Sequence, residues 1–483
     1  MVVGAPPNRR RLLPRLFEAH ERDGFLTAES VAVIAADLQL PLAEAWEAAT
    51  AYPDFAIDAP QEPGADCSGL SCVLNGAPEV PPGRHSACRF RCYDAPAPAA
   101  DAPFPETALG VRGPLLAPDL ADWRGLEAAR AAGREAALAQ IEAAGLRGRG
   151  GAYFPVATKW RGALAEQRPI ALVVNAEEGE PGIFKDRALL GLRSQRFLEG
   201  LAIAAEVLEP ETVIVFVNGA AGAARASLQT AIREHADLLP DSVQVVLGGG
   251  GYVLGEETTL LNALEGRKPV PRLRPPYPAE SGLFGMPTVV NNVETLAALS
   301  AIFREGAEAF RALGHADAPG TKLFSISGHV ARPGVHELAL GTTVADAIAA
   351  AGGPSPDRTL AALVGGPSGG FLPPAQFDAP LLPGRLHDTG AVTGSGGIIV
   401  LDQSADLRGA ALAMSAYNAL ESCGKCTPCR EGSPRAHAAF EGGASADLPD
   451  LIEALEAGSL CGLGAMAPGP IRSALHFWPE RFR

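Results

Sequence analysis

The chain has 483 residues, of which 47% are hydrophobic and 20% charged, a globular composition that excludes a chain disordered throughout and leaves room for about three domains, give or take one. A net charge of -15 excludes nucleic acid as a partner, because affinity for a phosphate backbone comes from Lys and Arg. No stretch approaches the roughly 18 apolar residues of a membrane helix, and Arg9, Arg10 and Arg11 precede only Leu12, Leu13 and Pro14, so the expectation is a cytoplasmic chain with no leader and no membrane insertion.

Residues 9–50 carry helical periodicity (Leu12, Leu16, Phe17, then Val31, Ile34, Leu38) and a helix-start signal at Thr27, which predicts two or three short helices in a docking or capping bundle. The Pro- and Gly-rich stretch 51–101 holds four cysteines, Cys67, Cys72, Cys88 and Cys92, and ends in a linker-like run, so a boundary is expected near residue 105. From 119 an Ala-rich pattern predicts one long helix running into a Gly-rich loop. Apolar runs at 170–174, 212–217 and 243–247 read as strands, with helix patterns at 198–208 and 221–235 between them. Strands alternating with helices predict a parallel α/β sheet. Beyond 315, a hairpin-like pair, a helix at 344–351 and strands at 361–364 and 397–401 predict a small α+β domain, and the tail from 406 is helical.

The sharpest chemical signal is Glu421-Ser-Cys-Gly-Lys-Cys-Thr-Pro-Cys-Arg, which places Cys423, Cys426 and Cys429 at Cys-x2-Cys-x2-Cys spacing, with Cys461 far downstream. A triplet plus one remote thiolate suits the corners of a [4Fe-4S] cluster. A structural zinc site is the alternative, but it more often uses two cysteine pairs. In a reducing compartment such groups read as ligands rather than disulfides. His315, His329, His336 and His387 lack companions at ligand spacing and read as surface or packing residues.

With that motif the sequence resembles the FMN- and [4Fe-4S]-containing NADH-oxidising subunit shared by respiratory complex I, NAD-reducing hydrogenases and NAD-dependent formate dehydrogenases. The resemblance runs from about residue 146 to the C-terminus, and four further motifs carry it. In Leu146-Arg-Gly-Arg-Gly-Gly-Ala-Tyr-Phe-Pro, glycines let backbone N–H groups approach a phosphate. The resemblance implies FMN on Gly148, Arg149, Gly150 and Gly151, with charge from Lys159 and Phe154 near the nicotinamide. Tyr153 stands where the family usually has Gly, and would either crowd the flavin or supply a missing ring. After the first strand, Asn175, Glu177 and Glu178 are implied to line the flavin and Glu180 to contact the dinucleotide, where a carboxylate on the ribose hydroxyls favours NAD over NADP. Gly255, Glu256 and Glu257 match positions beside the flavin and nicotinamide. Arg274 and Tyr277 match positions near NADH, while Asn291, Asn292 and Thr295 match flavin-phosphate binders.

The first cysteine group looks like the two ligand pairs of a thioredoxin-like [2Fe-2S] domain, yet the pairs stand closer together than in that domain, as if a strand–helix element were missing. A [2Fe-2S] cluster is favoured there, with zinc or no metal as alternatives. The implied architecture is an N-terminal helical and shortened thioredoxin-like segment (1–104), a Rossmann-like FMN and NADH domain (105–314), a β-grasp, SLBB-like domain (315–402) and a helical bundle holding the [4Fe-4S] site (403–483). No catalytic side chain is needed, because FMN carries the hydride chemistry. The expected activity is that of a diaphorase subunit interconverting NADH and NAD+, most like the formate dehydrogenase β subunit. Hydrogenase and complex I subunits rank next, and a non-catalytic zinc scaffold is the reading from another class. Implied partners are NAD(H), a thioredoxin-like [2Fe-2S] subunit and a large catalytic subunit of the molybdenum formate dehydrogenase type.

Overall fold

Four short runs of β-branched and aliphatic residues build a wholly parallel sheet: β1 (Ala171–Ala176), β2 (Thr212–Asn218), β3 (Val243–Gly248) and β4 (Thr288–Asn292), in the order β3-β2-β1-β4. The computed structural model describes residues 8–59, 67–77, 88–98, 101–118, 122–384 and 386–482. The first three strands lie where the apolar runs predict them. The fourth carries no such signal, because it sits inside the Pro287 to Thr295 motif. The order reverses between β1 and β4, and open α/β sheets bind ligands at the carboxyl ends of the strands at such a switch point. Parallel pairing sets Asn175 opposite Asn292 there.

Both faces of the sheet are covered, as parallel sheets require. Leu172, Val174, Val213 and Val215 pack against Phe197 and Leu201 of the helix Ser194–Leu208 and Leu296 of the helix Val293–Glu305. Ala171, Val173, Ile214 and Phe216 face the other way, onto Leu12, Leu16 and Val31 of the N-terminal helices, Phe55 of the loop after them, and Leu260 and Leu261 of the helix Glu257–Leu264. The N-terminal helices Leu12–Asp23, Ala28–Asp37 and Leu42–Ala49 therefore share one core with the sheet rather than standing as a bundle of their own. Each fully buried Leu or Phe there contributes roughly 1.5–3 kcal/mol. The Ala-rich pattern after 119 forms two helices, Arg124–Ala132 and Arg134–Ala144, because Gly133 between them takes a φ of 74°.

A second, mixed sheet follows the order β6-β5-β9-β7-β8: β5 (Thr321–Gly328), β6 (Gly334–Ala339), β7 (Thr359–Val364), β8 (Gly370–Leu372) and β9 (Gly397–Asp402). Its central pair β5 and β9 is parallel, and the flanking pairs are antiparallel. The helix Val344–Ala350 covers one face through Val344, Ala347 and Ile348. On the other face Leu360, Phe371 and Leu401 pack with Met414, Phe440 and Ile471 of the C-terminal helices Leu407–Leu420, Thr427–Glu441 and Gly469–Phe477. Among the described residues no helix is long and apolar enough to cross a membrane.

Candidate functional site

At the switch point the carboxyl ends of β1 and β4 open into a cavity of about 640 Å³, and the Gly-rich loop before the helix Val156–Ala165 closes one side of it. The loop is folded by Gly148 N–H donating to the Phe154 carbonyl (2.9 Å), and Gly151 sits at φ 117°. A Cβ on Gly150 would lie 3.2 Å from the Asn292 Cβ, and one on Gly151 3.5 Å from the Gly394 and Ser395 backbone, so glycine lets the loop approach both walls.

Three predicted residues lie behind the cavity and brace it. The Arg149 guanidinium, 1% exposed, donates to the carbonyls of Pro319 (2.7 Å) and Thr321 (3.0 Å), and burial lowers its pKa. Its charge is spent on backbone carbonyls because the β5 end of the second sheet packs directly on this loop. Thr295 accepts from the Arg149 N–H (2.8 Å), and Asn291 accepts from the Trp160 indole (2.9 Å). Tyr153 is also turned away, with its ring among Ala318, Leu340 and Leu382, so it neither crowds the cavity nor lends it a ring. Its φ of 53° is a left-handed conformation that costs a non-glycine residue roughly 1–2 kcal/mol.

Asn175 and Asn292 do border the cavity. Asn175 donates to the Gly255 carbonyl (2.8 Å), while Asn292 donates to Asp186 (2.6 Å) and caps the helix Val293–Glu305 through the Glu294 N–H (2.9 Å). Glu177, Glu178 and Glu180 follow β1, and burial, the leading cause for each, pushes their acids up to about 8, 7 and 7. Asp54 adds to the shift at Glu177 and Asp186 to that at Glu178, while the Ser395 hydroxyl, which donates to Glu180, opposes it there. Glu180 keeps some surface toward the cavity, but its carboxyl is enclosed.

Two buried ammonium groups, which sequence reasoning did not single out, flank the same region. Lys185 contacts Asp186 (2.7 Å) and Glu294 (3.0 Å); burial opposes its charge, yet these carboxylates outweigh burial and raise its pKa. Lys322 on β5 lies 3.4 Å from Glu294, and burial pushes it down to about 8. Lys185 lies inside the Phe-Lys-Asp-Arg stretch that follows the acidic loop, whereas nothing local to Lys322 signals its position. Tyr252 likewise gives no sign in the sequence: it borders the cavity, and its hydroxyl accepts from Ser368 (2.9 Å).

On the rim, the Glu256 carboxylate caps the helix Glu257–Leu264 by accepting from the Thr258 and Thr259 N–H groups (3.1 and 2.8 Å). Arg274 pairs with Glu256 and with Glu257 (3.3 Å), and Lys159 also reaches Glu257 (3.3 Å). Phe154 and Tyr277 stand 51% and 53% exposed, as flat surfaces open to a ligand.

Cys461 lines the cavity itself. Burial raises its thiol to about 11, with Cys423 and Cys429 adding to the shift, so the remote cysteine and the triplet face one another. The Glu421 carboxylate, two residues before Cys423, accepts from the Tyr252 N–H (2.8 Å) and ties this loop to the cavity wall. The first cysteine group is equally close-knit. Cys67 contacts Cys72 and Cys88, Cys88 contacts Cys92, and these thiol neighbours push Cys67 down to about 3. Backbone N–H groups of Arg89, Phe90 and Ala97 donate to Cys67, Cys88 and Cys72 at 3.3–3.4 Å, the environment that stabilises cluster thiolates. Phe90 lies under the Arg187 guanidinium (4.0 Å), which pairs with Glu178 (3.4 Å), so this group abuts the acidic loop. All eight cysteines are free, and among the described residues no three His, Cys, Asp or Glu side chains enclose a single metal ion.

A switch-point cavity with a cluster-type thiol on its wall is the arrangement of a redox protein that joins a dinucleotide to single-electron carriers. Residues 141–301 match the model of the Nuo51 FMN-binding domain, 323–372 the SLBB domain, and 409–483 the NADH-ubiquinone oxidoreductase-F iron-sulfur binding region. The second of two F-type NADH-quinone oxidoreductase subunits of Rhizobium meliloti is 38% identical over 363 residues, covering 70% of this chain and 86% of that protein. The corresponding NADH-quinone oxidoreductase subunit of Streptomyces coelicolor is 36% identical over 381 residues, 74% of this chain and 85% of that protein. Among solved structures, a chain of an NAD+-reducing [NiFe]-hydrogenase in the H2-reduced state superposes with a TM-score of 0.85 at 30% identity, over 99% of this chain and 93% of its own. The chain belongs to the family of FMN- and [4Fe-4S]-containing NADH-oxidising subunits. FMN and a [4Fe-4S] cluster are its cofactors and NADH its dinucleotide, which displaces the reading of a zinc scaffold without flavin.

Proposed function

We propose that the chain is the β subunit of a soluble, cytoplasmic NAD-dependent formate dehydrogenase, working beside a thioredoxin-like [2Fe-2S] subunit and a large molybdenum-type catalytic subunit. The observation that supports the redox role is Cys461 on the wall of the switch-point cavity, beside the residues we assign to the flavin. The formate assignment is supported by the segment with the first cysteine group, Cys67, Cys72, Cys88 and Cys92, fused ahead of the flavin domain. FMN, when bound, supplies a hydride acceptor that releases electrons singly.

The residues divide the binding between them. Gly150 and Gly151 let the loop backbone meet the phosphate, Gly148 closes that loop through its bond to the Phe154 carbonyl, and Lys159 and Asn292 add charge and hydrogen bonds, with Arg149, Asn291 and Thr295 fixing the loop from behind. Asn175, Glu177, Glu178, Gly255, Glu256 and Tyr252 border the isoalloxazine. Phe154, Glu180, Glu257, Arg274 and Tyr277 meet the dinucleotide. Cys423, Cys426, Cys429 and Cys461 hold the [4Fe-4S] cluster, and Cys67, Cys72, Cys88 and Cys92 a [2Fe-2S] cluster. We divide the chain at 104, 314 and 402, in line with the two sheets and the C-terminal helices.

A second reading, the diaphorase subunit of an NAD-reducing hydrogenase, is favoured by the superposition on such a chain over 99% of this one. The NADH-quinone oxidoreductase relatives span 70–75% of the chain, which ranks complex I third. The test is the complex purified anaerobically with its partners and offered NAD+ with formate or with hydrogen. Formate-dependent reduction of NAD+ supports the first reading, and hydrogen-dependent reduction replaces it with the second.

A further inference from the structure

Tyr153 holds an unfavourable backbone conformation in a loop where glycine would be free, and its side chain shows what the chain gains. It is 4% exposed, and its hydroxyl donates to the Gly394 carbonyl (3.0 Å) on the segment leading into β9 of the second sheet. The next residue, Ser395, donates its hydroxyl to Glu180 on the loop after β1. The Glu180 carboxylate lies so close to Gly366 that a Cβ there would collide with it. Residues 393–396 are thus gripped from two sides, by the flavin loop through Tyr153 and by the acidic loop through Glu180. Gly151, Glu180, Gly394 and Ser395 all border the cavity, so this segment forms one of its walls.

We propose that Tyr153 and Ser395 are positioning residues which strap this wall in place, so that flavin retention and the orientation of Glu180 are coupled through the Tyr153 hydroxyl. The proposal rests on the reading of this cavity as the FMN and NADH site. Removing the hydroxyl frees the Gly394 carbonyl, lets residues 393–396 move away from Gly151, and takes Ser395 with them. Glu180 then loses the donor that fixes its rotamer.

The experiment uses the purified holoprotein and four variants: Tyr153→Phe, Ser395→Ala, Ser395→Thr and the double variant Tyr153→Phe/Ser395→Ala. The FMN dissociation rate, the KM and kcat for NADH, and iron per chain are measured for each. Tyr153→Phe is expected to speed FMN release about threefold to tenfold, the factor that one net hydrogen bond is worth. It is also expected to raise the KM for NADH more than it lowers kcat, with iron unchanged. Ser395→Ala should reproduce the KM effect and Ser395→Thr should restore it. The double variant should do no more than the larger single change, because both act through one strap. Unchanged FMN release and KM in Tyr153→Phe, or fully additive effects in the double variant, would overturn the strap while leaving the cavity assignment intact. A wild-type chain that binds no FMN would overturn both.

Discussion

Replacing Glu177 by Gln tests the electrostatics of the cavity floor, since the substitution keeps the shape and removes the ionisation. Glu177 is 7% exposed; Asn218 donates to one carboxyl oxygen, and the other has no hydrogen-bond partner among the described residues and lies against the Gly248 backbone. Burial first and Asp54 second raise the acid from an ordinary 4.5 to about 8, against the smaller opposing pull of Asn218 and Arg187. Between those two pH values the folded chain keeps a proton that the unfolded chain has lost. Stability therefore falls as pH rises through the window and levels off above about pH 8. At about 1.4 kcal/mol per tenfold change in acidity the full loss has an upper bound of roughly 5 kcal/mol. Glutamine suffers none of it. Melting of the two proteins, followed by flavin release at a series of pH values, should give similar midpoints near about pH 5 and a variant several degrees more stable near about pH 8.5. Asp54→Asn should narrow that gap. A difference in midpoint that stays constant across the series would refute the argument.

Cys426→Ser should keep NADH oxidation with an acceptor that takes electrons directly from flavin, while abolishing transfer to the partner subunits; equal loss of both would remove the triplet from the electron route. Cys72→Ser should lower iron from about six to about four atoms per chain and leave FMN in place, and an unchanged iron content would mean that the first cysteine group holds no cluster. Glu180→Gln should narrow the preference for NADH over NADPH in steady-state kinetics, and an unaltered ratio would take Glu180 away from the ribose.

The strands β1 and β2 are legible because each is an apolar run bounded by turn residues, as expected of strands buried on both faces, and β3, a half-buried edge strand interrupted by Gln244, is still rich enough in Val to read as one. The run of β4 is shorter and ends in Asn291 and Asn292, so its chemistry conceals its geometry. The loops after β1 and β4 are legible as site for the same reason that they are one: ligands gather at the ends of strands. Ser395 and Tyr252 are not, because they reach the cavity only once the second sheet and the β3 loop have packed against it, and Lys322 comes near it, behind Glu294, by the same packing. Arg149 illustrates the opposite failure. A charge in a phosphate-binding motif invites a role in binding, and only the fold shows that its donors go to Pro319 and Thr321.

The sharing of one core between the N-terminal helices and the sheet bears on how this chain is made. Leu12, Leu16 and Val31 leave the ribosome early, but the strand residues they cover, Val173, Phe216 and Val290, follow much later. Until the segment up to β4 has been synthesised, those helices have no sheet to rest on, and the nascent sheet in turn depends on them to cover an apolar face. Such long-range closure slows folding and leaves sticky surface open to chaperones in the interval. It also means that trimming the chain back to its flavin domain would yield a sheet with a bare hydrophobic side, prone to aggregate, rather than a minimal diaphorase.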